Sequence, residues 1–126
     1  MIDSFQMTLV PQRAEVSRAR RFVVDIVTAL GQDHLADVVE LLTSELVTNV
    51  VLHAGGERMR ITVDWSPPVF RVEVYDESNA KPRQFSYGVE AATGRGLALI
   101  EDLASHWGTT PQADGKSVWF EVDAAA

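Results

Sequence analysis

The chain has 126 residues, 46% of them hydrophobic and 23% charged, with 11 Lys+Arg against 18 Asp+Glu and no cysteine. That length predicts one domain, residues 1–126, and the composition excludes low complexity, disulfides and thiolate metal sites. The net charge of -7 disfavours nucleic acid and anionic membranes; no apolar run reaches the roughly 20 residues of a bilayer span, and with no secretory leader the expected location is the cytoplasm.

Residues 5–10 alternate polar and apolar and stop at Pro11, the pattern of an edge strand. Val16, Ala19, Phe22, Val23, Ile26, Val27 and Leu30 then recur at helical spacing up to Gly31, which predicts an amphipathic helix with a glycine stop. Asp33 is placed to cap a second, longer helix running to about His53. Its apolar stripe holds Leu35, Val38, Val39, Leu42, Leu46 and Val50.

Residues 58–65 alternate, with Met59, Ile61, Val63 and Trp65 on one face, and Ser66-Pro67-Pro68 turns the chain into a second strand at 69–76. There Phe70, Val72 and Val74 share a face, and Asp76 falls on that same apolar face. Residues 77–93 lack periodicity and form a long loop, of the kind that serves as a lid.

Residues 93–96 open a third helix striped by Leu97, Ile100, Leu103 and Ala104, followed by a short strand near Trp107. A turn at 113–115 leads into a last strand at 116–122, with Val118, Phe120 and Val122 alternating against Ser117, Trp119 and Glu121. The expected architecture is an α+β two-layer sandwich, a mixed and mostly antiparallel sheet covered on one face by about three helices.

Three groups of residues point to chemistry. Glu45, Asn49 and His53 stand at i, i+4 and i+8 of the second helix, so they share a face. A carboxylate and an amide beside a Leu/Val stripe would be satisfied by a hydrated Mg²⁺ and a phosphate; the same spacing also fits a solvated polar helix edge. Asp76, at the end of an inward row, needs a donor such as an adenine amino group; alternatively it caps the following turn. Gly94, Arg95 and Gly96 precede a helix whose free N–H groups favour an anion, and also fit a plain glycine-rich turn.

Other motifs fail. Gly115-Lys116-Ser117 looks like the end of a P-loop, but Thr110 occupies the earlier glycine position and a strand follows. The glycines around Arg95 do not make a dinucleotide fingerprint, because Leu99 stands at the third glycine position. His34, His53 and His106 lack metal-ligand spacing, and no nucleophile elbow appears.

In order along the chain, these pieces resemble the Bergerat-fold GHKL superfamily, in particular its anti-sigma factor serine kinases. Glu45-Leu46-Val47-Thr48-Asn49 with His53 is similar to the N box, residues 74–78 to the adenine-binding G1 box, and residues 93–100 to the G2 phosphate loop. Residues 115–121 are similar to the last strand of this branch.

The resemblance implies ATP and Mg²⁺ as ligands, with Asn49 on the metal, Glu45 orienting or deprotonating the attacking group, Asp76 and the neighbouring Ser78 at the adenine, and Gly94 and Gly96 at the phosphates. Arg95 and Lys116 are candidates for phosphate neutralisation by charge and placement. The implied partners are a sigma factor and a small antagonist phosphorylated on serine, with a homodimer as the implied assembly. Ser78 and Ala80 replace the two glycines of the usual D-x-G-x-G pattern, which admits an alternative: a regulatory module that binds ATP without transferring phosphate.

Overall fold

The computed structural model describes residues 2–53, 56–77 and 96–125. Five strands, β1 (Asp3–Leu9), β2 (Met59–Ser66), β3 (Val69–Asp76), β4 (His106–Gln112) and β5 (Gly115–Asp123), form one sheet in the order β1-β2-β3-β5-β4. Every neighbouring pair among them is antiparallel, so the expectation of a mixed sheet is corrected. Among the described residues the α-helices are α1 (Val16–Ala29), α2 (Ala36–His53) and α3 (Gly96–Leu103).

Alternation decides which face is dry. Met59, Ile61, Val63 and Trp65 of β2, Phe70, Val72 and Val74 of β3, and Val118, Phe120 and Val122 of β5 are all buried on the helix-facing side. The opposite face is half-buried and polar, stiffened by Arg71 stacked 4.1 Å over the Trp119 ring and paired with Glu121 at 3.3 Å. Trp65 is thus a core residue and Trp119 a residue of the outer sheet face.

The two long helices differ because their surroundings differ. α1 is strongly two-faced, burying Ala19, Val23, Ile26 and Val27. α2 packs on α1, α3, β3 and β5, and it is apolar around most of its circumference. Leu35, Val39, Leu42, Leu46, Val47 and Val50 are buried at or near it. No helix among the described residues is long and apolar enough to cross a membrane.

Gly31 takes φ +74, where an L side chain is strained, and the Gln32 N–H donates back to the Val27 carbonyl at 2.9 Å to close α1. Asp33 does not cap the next helix as expected. It begins a 3-10 turn, Asp33–Leu35, that runs straight into α2, so the chain is already helical where a cap residue would be extended.

Two other expectations shift. The strand near Trp107 extends through Pro111, which an edge strand tolerates because it need not donate into a ladder on both sides. In α3, Ile100 is fully buried and Ala104, just past the helix end, packs against the core, but Leu103, the last helical residue, is 43% exposed, so Leu103 drops out of the expected stripe. The side chain of Leu97 lies outside the described residues.

Candidate functional site

The connection between α2 and β2 positions the site. α2 ends at His53 and β2 begins at Met59, whose register partner across the sheet is Asp76. The C-terminal turn of α2 and the C-terminal end of β3 therefore lie at the same end of the molecule. The β4–β5 hairpin brings Gly115 and Lys116 to that end as well, with Lys116 directly opposite Asp76.

Asp76 is 1% exposed and Lys116 4% exposed, and Lys116 Nζ donates to Asp76 Oδ1 at 3.1 Å. The carboxylate read from the sequence as needing a donor thus has one within the protein. This also relocates Lys116. Its ammonium is set into the layer interface beside a carboxylate, a placement that strand alternation and cross-strand register impose and that the reading of Lys116 as a phosphate partner did not anticipate.

Gly115 allows the two strands to come this close. A Cβ at position 115 would collide with the backbone carbonyl oxygen of Asp76. Gly115→Ala should accordingly cost about 1–3 kcal/mol of stability, the usual range for forcing an extra carbon into a packed place. Urea unfolding measures it, and a loss below about 0.5 kcal/mol, the range of neutral surface changes, would mean that the hairpin simply moves aside.

Glu77, the next residue, anchors the end of β3. Its carboxylate accepts from the Arg58 backbone N–H at 2.9 Å and from the Arg58 guanidinium at 3.3 Å. Burial pushes its pKa up, but the two Arg58 hydrogen bonds and the Arg58 charge outweigh this and hold it below the ordinary 4.5. A depressed carboxylate stabilises the fold above its unfolded pKa and ceases to do so as pH falls through the lower folded value. The difference in melting temperature between the native chain and Glu77→Gln is therefore expected to shrink below pH 4.5; a constant difference would contradict the Arg58 contact.

On α2, Asn49 is 2% exposed, and its Oδ1 is buried without a hydrogen-bond partner among the described residues. A buried amide oxygen in that state costs stability unless a ligand completes it. One turn earlier, Glu45 is half-buried. The helix thus carries one concealed acceptor and one partly accessible carboxylate on the same face. A hard oxygen donor suits Mg²⁺, which binds through one or two protein oxygens and completes its shell with phosphate and water. Asn49 fits that role.

Gly96 is the first residue of α3, where backbone N–H groups of the opening turn lack helical acceptors. Ser78, Gly94, Arg95 and the side chain of His53 lie outside the described residues. His34 and His106 are elsewhere: the His34 ring lies 2.9 Å from the Ala124 carbonyl oxygen and His106 beside Glu121. A depression of about 320 Å³ lined by Thr8, Arg58, Met59, Arg60, Tyr75, Glu77 and Asp114 opens at the same end of the sheet. Thr8, Arg60 and Tyr75 alternate onto the face away from Asp76, so this is a different place from the predicted site.

Residues 9–122 match the family model of the histidine kinase-like ATPase domain. Among solved structures, the histidine kinase domain from the blue-light activated histidine kinase of Erythrobacter litoralis EL346 is similar, with a TM-score of 0.57 and 17% identity. The likeness covers 89% of this chain and 60% of that chain, and at such identity it shows the fold alone. No curated protein matches the sequence. With the family match running from the end of β1 to the end of β5, this chain belongs to the histidine kinase-like ATPase domain family.

Proposed function

We propose that the chain is an ATP-dependent protein-serine kinase that phosphorylates a small antagonist protein and holds a sigma factor by partner switching. The observation that supports the ATP site is that two buried polar groups, the Asp76 carboxylate and the Asn49 amide oxygen, sit on elements whose C-terminal ends lie at the same end of the molecule. Family membership supports ATP as the ligand; the anti-sigma role rests on the resemblance of residues 45–49, 74–78 and 115–121 to that branch.

In this reading Asp76 accepts the adenine amino N–H, and Asn49 offers its concealed oxygen to Mg²⁺. The metal supplies charge neutralisation for the triphosphate. The opening turn of α3 at Gly96 would hold the phosphates, and the resemblance adds Gly94 and Arg95 as phosphate residues. Glu45 orients the serine hydroxyl and takes its proton as the serine oxygen bonds to the γ-phosphorus and the bond from that phosphorus to the β,γ-bridging oxygen breaks, releasing ADP. Most of the acceleration comes from positioning and electrostatics, as in phosphoryl transfer generally.

Incubation with γ-labelled ATP and serine-bearing antagonist proteins tests this. Label is expected on the antagonist serine, with sigma-factor binding that differs between ATP and ADP. The replacement of glycine by Ser78 and Ala80 favours the second reading, a regulatory module that binds ATP without transfer. Melting stabilised by MgATP with no label on any antagonist would select it; melting that ignores MgATP would remove both.

A further inference from the structure

We infer that Lys116 is a base-reading residue, donating to the ring nitrogen beside the adenine amino group while Asp76 accepts from the amino group itself. This rests on the proposed reading of Asp76 as the adenine contact. The observation behind it is the buried ion pair, Lys116 Nζ to Asp76 Oδ1 at 3.1 Å, set at the end of an inward row otherwise made of Val and Phe.

Such a pair is a poor device for stability alone. Desolvating two charges cancels much of their attraction, and apolar residues of similar volume usually serve a core at least as well. As a recognition device it has a clear use. A carboxylate beside an ammonium presents an acceptor next to a donor, both fixed by strand register. Adenine presents the complement on its pairing edge: the amino group donates, and the adjacent ring nitrogen, N1, accepts. A protonated amine with three N–H donors serves a carboxylate and a base nitrogen at once. The same placement takes the ammonium out of the phosphate-neutralising role that its charge first suggests.

Three triphosphates separate the two contacts when titrated calorimetrically into the native chain with Mg²⁺: ATP, 1-deaza-ATP, in which a C–H replaces the ring nitrogen, and the purine analogue lacking the amino group. Loss of one buried hydrogen-bond partner typically weakens binding by about 5- to 100-fold. The native chain is expected to prefer ATP over both analogues by such factors. Lys116→Met should erase the preference over 1-deaza-ATP and keep the preference over the analogue without the amino group. Equal binding of ATP and 1-deaza-ATP by the native chain would overturn the inference, as would GTP binding tighter than ATP or a Lys116→Met protein that still discriminates the ring nitrogen. Should Lys116→Met fail to fold, the analogue series on the native chain decides by itself. Failure of the underlying reading looks different: the native chain binds no ATP, or Asp76→Asn leaves ATP affinity unchanged.

Discussion

Asp76→Ala is expected to lower the unfolding free energy by about 3–5 kcal/mol and to eliminate stabilisation by MgATP. The first effect follows from what the substitution leaves behind, an ammonium that is 4% exposed and deprived of its carboxylate. The double replacement Asp76→Ala with Lys116→Met should be less destabilised than the sum of its parts, because removing both partners of a buried pair removes the need to desolvate either. The second effect is separable. A nucleotide that binds only the native state raises stability by about 2.7 kcal/mol at 100 times its Kd, so the native chain should melt higher with MgATP while Asp76→Asn, which retains side-chain volume, should not. A loss below about 1 kcal/mol for Asp76→Ala would show that the pair is solvated and that its register with β5 is looser than described.

Much of this architecture was legible because strands and helices announce themselves by period. The second strand of the first hairpin runs over 69–76 as its alternation indicated, and Gly31 ends α1 where a left-handed residue was needed. Asp76 could be placed on the inward face for the same reason: period-two alternation assigns faces without knowledge of the partner strand. What alternation does not assign is which strand lies alongside. Lys116 is also inward-facing, but its proximity to Asp76 depends on β5 pairing with β3 while β4 takes the outer edge, a topological choice with no local signal. A Lys opposite an Asp on rows otherwise apolar is the one hint that was available. The Asp33 cap misled for a related reason, since a good capping residue is used only if the chain arrives extended, and here it arrives in a 3-10 turn. The concealed Asn49 oxygen could not be read from spacing, because the i, i+4 pattern that groups it with Glu45 does not tell a solvated edge from a face packed under a sheet.

That distinction bears on the reaction, because it divides the labour between two residues one helical turn apart. Asn49 is nearly inaccessible, suited to holding a ligand already bound, whereas Glu45 is half-buried and within reach of a group arriving from outside. Under the proposed kinase function, Glu45→Gln keeps the shape and one acceptor but removes the basic carboxylate, so transfer to the proposed antagonist serine is expected to fall by about 10²–10⁴-fold, the range of a general-base contribution. ATP affinity should change little, since the amide at position 49 and the carboxylate at 76 are untouched. Asn49→Ala should show the converse, a loss of MgATP binding that carries transfer down with it. Single-turnover transfer measured beside calorimetric titration separates the two. If Glu45→Gln transferred phosphate at close to the native rate, the proton would be leaving by another route and Glu45 would be reduced to a helix-surface carboxylate. If it lost ATP and transfer together, its place would be with Asn49 in holding the nucleotide, and the base would have to be sought elsewhere.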